Sequence, residues 1–171
     1  MKDNYDNIVL IGMPGSGKTS IGRILAKKIN MCFYDLDEYI ERKSGKRITE
    51  IFAIYGERHF RTLESCAVKE ISSKTNAVIS TGGGVVLDSK NMHVLNKRGI
   101  IFFINRPVED IANDIEISCR PLLANDRDNI YRLYKDRYEL YKKCSDFEIL
   151  NDRGILEAVK QIIEILNRNY A

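Results

Sequence analysis

The sequence predicts a three-layer α/β/α fold around a central five-stranded parallel sheet, and three observations carry that expectation. Five short apolar runs recur along the 171 residues: Ile8 to Ile11, Cys32 to Leu36, Ala77 to Ser80, Ile100 to Ile104 and Phe147 to Leu150. Segments with helical apolar spacing alternate with them, which is the pattern of helices packed on both faces of a parallel sheet. The first run leads at once into a glycine-rich turn and then an amphipathic stretch, so strand, loop and helix stand in that order.

The elements are justified in turn. Ile8-Val9-Leu10-Ile11 is apolar throughout, as a strand buried on both faces requires. Thr19 to Ile29 reads as a helix with apolar residues at Ile21, Ile24, Leu25 and Ile29. Ile48 to Tyr55 and His59 to Ser72 read as two helices ahead of and leading into the third strand. Ser89 to Asn96 and Val108 to Ile117 flank the fourth strand, and Ile130 to Lys143 and Ile155 to Asn169 flank the fifth. The last helix repeats apolar residues at Ile155, Leu156, Val159, Ile162, Ile163 and Leu166. Two segments exceed what a minimal sheet needs, residues 37–61 and 113–129. Both are expected beyond the carboxyl ends of strands, where ligands of open α/β sheets collect.

Length and composition bound the possibilities. The chain is expected to be one domain over residues 1–171, with 44% hydrophobic and 30% charged residues. Its net charge of +3 comes from 27 basic and 24 acidic residues spread along the sequence, which does not make a nucleic-acid footprint and is compatible with small anionic substrates. No stretch approaches the roughly 18 apolar residues of a membrane span, and Met1 to Asn7 lacks the apolar core of a secretory signal, so the expected compartment is the cytoplasm. Cys32, Cys66, Cys119 and Cys144 are widely spaced with only His59 and His93 beside them, which argues against a metal cluster or disulfide framework. Cys32 and Cys66 are expected to be small core residues, and Cys119, in a polar stretch, is assigned no role.

Gly12 to Thr19 reads Gly-Met-Pro-Gly-Ser-Gly-Lys-Thr, a full match to the phosphate-loop pattern. A polyphosphate must be wrapped by backbone N–H groups, and Gly12, Gly15 and Gly17 let the main chain curl around it. The following helix aims its N-terminal amides at the same anion, Lys18 reaches the β- and γ-phosphates, and the Thr19 hydroxyl can ligate magnesium. Asp35 and Asp37, at the end of the second apolar run, are expected on the same side of a strand. One could hold hydrated magnesium while the other orients or deprotonates an acceptor hydroxyl; the alternative is that they cap the following helix. Thr81-Gly82-Gly83-Gly84, after the third run, marks either close approach of a ligand or backbone, or a flexible turn. Arg61, Arg120 and Arg137 read singly are ordinary surface charges.

Taken together these segments resemble the shikimate kinase family. The resemblance is carried by Gly12 to Ala26, Phe33-x-Asp35-x-Asp37, Ile51-Phe52 through Gly56-Glu57-x-x-Phe60-Arg61-x-x-Glu64, Thr81 to Gly84, Arg120-Pro121-Leu122-Leu123, and Arg137 with Tyr141 and Asp146. It implies a P-loop kinase fold with a substrate-binding insertion at 37–61 and a lid at 113–129, and transfer of the ATP γ-phosphoryl group to the 3-hydroxyl of shikimate. By that resemblance ATP is held by Gly12, Gly15, Ser16, Gly17, Lys18, Thr19 and Ser20, with Arg120 on the lid and Arg153 beside adenine. Lys18, Asp37 and Arg120 are the implied catalytic residues. Asp37, Arg61, Gly82, Gly83, Gly84 and Arg137 would meet shikimate, and Thr19 and Asp35 would hold Mg2+. A monomer is implied, with ATP and shikimate as its partners and neither nucleic acid nor membrane among them.

The chain departs from the family pattern in its lid, where Asp114 to Cys119 lacks glycine and Asn113 stands in place of a basic residue, and at Glu139, where a proline is usual. Rival readings are a related kinase acting on gluconate or a nucleoside monophosphate, a fold relative without activity, and a nucleotide-dependent switch. The guanine-reading Asn-Lys-x-Asp motif of such a switch is broken at Gly99 in Asn96-Lys97-Arg98-Gly99.

Overall fold

The computed structural model describes residues 5–117 and 127–170. Five strands, β1 (Asn7–Ile11), β2 (Cys32–Asp35), β3 (Ala77–Ser80), β4 (Gly99–Asn105) and β5 (Phe147–Leu150), form one parallel sheet in the order β2-β3-β1-β4-β5. Asn7 lies opposite Ala77 on one side and Gly99 on the other, so the three central strands start level. Their fully buried residues explain the unbroken apolar runs. Successive side chains serve opposite faces: Val9, Ile11, Ile79, Ile101 and Phe103 belong to one core, and Ile8, Leu10, Ile100, Phe102 and Ile104 to the other.

The helices are α1 (Lys18–Lys28), α2 (Leu36–Ser44), α3 (Ile48–Ser72), α4 (Ser89–Arg98), α5 (Val108–Ile117), α6 (Arg127–Cys144) and α7 (Ile155–Tyr170), with a 3-10 turn at Val85–Leu87. Helices α1 and α7 cover the second core, and α3, α4 and α6 the first. The chain runs from β1 to β2 and back to β3, then crosses β1 to reach β4. The carboxyl end of β1 is therefore the switch point of the sheet, where a crevice opens.

Four sequence expectations need correction. The second strand stops at Asp35, because Leu36 opens α2, a helix the sequence reading passed over inside the 37–61 segment. Asp35 caps that helix, its carboxylate accepting from the amides of Asp37 and Glu38, and Gly45 at φ +67° ends it. Cys32 and Cys66 are exposed rather than core residues: Cys32 begins the edge strand, and Cys66 lies off the α3 stripe formed by Glu64, Ala67, Val68 and Ile71. Leu156 is 68% exposed, and Ala158 takes the buried place in the first turns of α7. Cys119 lies outside the described residues.

The two expected helices at 48–72 are continuous in the hydrogen-bonding sense yet broken at Gly56, whose φ of 78° and ψ of 172° are not helical. A side chain there would meet open space, so the glycine is required by backbone conformation alone.

Candidate active site

The loop after β1 curls through left-handed glycines, Gly15 at φ +81° and Gly17 at +95°. The buried Lys18 ammonium donates to the Gly12 carbonyl at 2.9 Å and the Met13 carbonyl at 2.7 Å, so it sits inside the curl. Ser16 closes the turn through its amide to the Met13 carbonyl at 3.1 Å. Thr19 and Ser20, in the first turn of α1, line a cleft of about 580 Å³ together with Lys18, Asp35, Asp37 and Gly83.

Asp35 takes the capping role that the sequence left as an alternative, and it also meets Thr19. One oxygen caps α2 at 3.0 and 3.2 Å, and the other accepts from the Thr19 hydroxyl at 2.7 Å. Asp37 is in the first helical turn rather than on the strand, and still faces the cleft. Burial, reinforced by the nearby Asp35 charge and opposed by Lys18, pushes the Asp37 carboxyl up to about 6. Burial likewise lowers the Lys18 ammonium to about 8, against the attraction of Asp37 and Asp35. The hydroxyl of Thr19 beside the carboxylate of Asp35 is a hard-oxygen pair with few protein ligands, which fits an ion that keeps most of its water, as magnesium does.

The second wall of the cleft is the turn Gly82-Gly83-Gly84. A β-carbon on Gly82 would stand 2.8 Å from Asp37 Oδ1, one on Gly83 would lie 2.5 Å from the Pro14 ring, and one on Gly84 would collide with the Arg61 guanidinium. The turn is thus a place of close approach, and the phosphate loop itself packs on it. Arg61 is held by Glu64 at 2.8 Å and by Glu57 at 3.0 Å. Glu64 is 1% exposed, and its second oxygen has no protein partner. From α6, Arg137 donates to the Gly83 carbonyl at 3.2 Å, and the buried Tyr141 hydroxyl donates to the same oxygen at 2.5 Å. Burial raises the Tyr141 phenol to about 12, so it stays a donor.

Of the residues named from sequence, the structure brings together Gly12 to Ser20, Asp35, Asp37, Arg61, Gly82 to Gly84 and Arg137. Arg120 lies outside the described residues. Arg153 is exposed between β5 and α7 and is not among the lining of either cavity, although its neighbours Asp152 and Gly154 line a second one of about 300 Å³. That cavity continues from Gly17 to Asn151, which donates to the Ser16 carbonyl at 2.9 Å. Asn151 is buried and its Oδ1 has no protein partner.

Sequence reading missed Asn151, Arg106 and Glu64 as site residues. Arg106 and Asn151 each follow at once on a strand, and a polar residue at a strand's carboxyl end in a parallel sheet was the signal available. Glu64 was quoted only within the Phe-Arg-x-x-Glu pattern.

A phosphate loop and an arginine-bearing glycine wall that meet across two carboxylates fit a small-molecule kinase of the P-loop class. The family model described as Shikimate kinase matches residues 14–167. The shikimate kinase of Clostridium beijerinckii is 44% identical over 164 residues, covering 96% of this chain and 96% of that one. That of Clostridium botulinum strain Eklund 17B is 46% identical over 164 residues, covering 96% and 99%. Among solved structures, the shikimate kinase from Acinetobacter baumannii in complex with shikimate superposes with a TM-score of 0.91 at 33% identity, covering 98% of this chain and 96% of that one. The chain belongs to the shikimate kinase family.

Proposed function

We propose that this chain, an ATP-dependent phosphotransferase of the shikimate kinase family, moves the γ-phosphoryl group of ATP to the 3-hydroxyl of shikimate, giving 3-phosphoshikimate and ADP. The observation that carries the reading is that Lys18, Asp37 and Gly83 line one cleft while Arg61 and Arg137 lie against the glycine turn behind Gly83.

The phosphate loop wraps the β- and γ-phosphates, and Lys18, buried among carbonyls, exchanges those partners for phosphoryl oxygens. Arg61 and Arg137 grip the shikimate carboxylate, for which a planar guanidinium is suited. Their anchors, Glu64 and the Gly83 carbonyl, fix the direction of the grip. The close backbone of Gly82 to Gly84 lets the ring lie against the turn with its hydroxyl toward Asp37.

A bond then forms from the 3-hydroxyl oxygen to the γ-phosphorus as the bond to the β–γ bridging oxygen breaks. The hydroxyl proton passes to the Asp37 carboxylate. A carboxyl raised to about 6 is matched to that task near neutral pH. Thr19 would hold Mg2+ directly and Asp35 through water, and the bound ion would supply charge neutralisation at the phosphates. Arg120, on the segment following α5, closes the charge balance over the phosphates and excludes water.

The adenine half of ATP extends along the cavity that ends at Asn151. The segments 37–61 and 113–129 serve as substrate-binding and lid insertions of one domain spanning residues 1–171. The same reading includes a cytoplasmic monomer with neither nucleic acid nor membrane as partner. No helix among the described residues is long and apolar enough to cross a membrane.

The test is ADP release with ATP and magnesium, with and without shikimate, beside gluconate and a nucleoside monophosphate as comparison acceptors. Strong stimulation by shikimate alone is expected. Stimulation by another acceptor, or none with ATP still bound, overturns the assignment.

A further inference from the structure

Arg106 follows β4 and is the side chain where the two cavities join. It lines both the 580 Å³ cleft and the 300 Å³ cavity, as do Gly17, Asp114 and Ile155. Its Nη1 donates to the Gly15 carbonyl in the phosphate loop at 3.1 Å and to the Asp114 carboxylate at 2.6 Å. Both bonds run through one nitrogen, whereas a guanidinium carries five donor hydrogens in a fixed fork.

The charge around it makes this position consequential. Apart from Arg106, the charged residues described in the lining of the smaller cavity are all carboxylates: Asp110, Asp114 and Asp152. A nucleotide laid from the phosphate loop toward Asn151 carries the phosphate nearest its nucleoside across this junction. Three carboxylates alone would repel that phosphate. Arg106 is the one cation in that described lining and offsets part of the charge. Its side chain is only 24% exposed, so it is positioned rather than free in solvent.

We infer that Arg106 is a nucleotide-binding residue, gripping the phosphate adjoining the nucleoside in exchange for the Asp114 carboxylate while keeping its hold on the Gly15 carbonyl. The inference rests on the reading of the cleft as the nucleotide site. It assigns the residue a role beyond tethering the loop, because tethering needs a donor and phosphate binding needs the charge.

The experiment is calorimetric titration of the full chain and of Arg106→Ala and Arg106→Gln with ADP and, separately, with shikimate, at two salt concentrations. Glutamine keeps an N–H donor for the Gly15 carbonyl and removes the charge. Both variants are expected to weaken ADP binding about tenfold or more, as loss of a charge-assisted contact does. Their salt dependence should be shallower than the parent's, and shikimate affinity should stay within about twofold of it. A parent that binds no ADP overturns the reading of the cleft and this inference with it. A parent that binds ADP while both variants bind it equally well overturns this inference alone. Normal ADP binding by Arg106→Gln with loss in Arg106→Ala, or parallel loss of ADP and shikimate binding with a lowered Tm, identifies a structural tether and likewise overturns it.

Discussion

The proposed nucleotide half and the proposed acceptor half of the cleft are built in opposite ways. The first is eight consecutive residues, Gly12 to Thr19, between one strand and one helix. The second is gathered from α2, α3, the turn after β3, and α6, so Asp37, Arg61, Gly83 and Arg137 come from four separated segments. A loop that wraps phosphate does so with its own backbone and needs contiguity. A wall that recognises the shape of one acceptor needs side chains from several directions, and the sheet brings them to one end.

Variants of each half break or sharpen that contrast. Lys18→Ala should lower kcat by about 10³–10⁵-fold, the range in which cations act on phosphoryl transfer, with little change in shikimate affinity. Steady-state rates beside shikimate titration check this, and a matching loss of shikimate binding would show that the halves are not separable. Arg61→Ala should weaken shikimate binding by about 2–5 kcal/mol, since it also strands the buried Glu64 charge. ADP affinity in that variant should stay near the parent's, and unchanged shikimate affinity would remove Arg61 from the acceptor wall.

The two halves meet in a charge pair that titrates. With Asp37 at about 6 and Lys18 at about 8, kcat/KM of the free enzyme should rise as pH passes 6, when the carboxylate ionises, and fall above 8, when the ammonium loses its proton. The acid limb should vanish from the residual rate of Asp37→Asn. For stability the sign is opposite: the raised carboxyl binds its proton more tightly folded than unfolded, so folding free energy is lost as pH rises from about 4 to about 6. Asp37→Asn should therefore be more stable at pH 8 by on the order of 1–2 kcal/mol, a gain visible as a higher Tm. The smallest effect is expected from Tyr141→Phe, which removes one of two donors to the Gly83 carbonyl and should raise KM for shikimate by about 0.5–1.5 kcal/mol equivalent while leaving KM for ATP in place.

The same contrast governed what could be read from the chain. A strand buried on both faces announces itself by composition, as β3 does, and both β3 and the edge strand β5 were read to the residue. The phosphate loop was equally open, because its chemistry lies in its spacing. Helix α2 was hidden by the apolar Leu36, which continues the run of the strand before it, although Asp35, the acidic first turn, Arg42-Lys43 and Gly45 spell a helix's two ends. Cys32 misled because membership of an edge strand is a property of the sheet order and not of the local residues. Arg61 and Arg137 have no spacing rule between them; only resemblance singled them out. Arg106 and Asn151 escaped even that, since the one stands where two cavities meet and the other lines only the smaller of them.

The break at Gly56 is a braced joint. The faces of α3 before and after that residue do not continue one another, yet aromatic pairs span it, Phe52 with Phe60 at 4.7 Å and Tyr55 with His59 at 4.8 Å between ring centroids. Arg61 lies over the Phe60 ring, so the upstream rod acts as a strut for the guanidinium that faces Gly84. A change in the outer rod is thus felt at the proposed grip on the acceptor through one stacked ring.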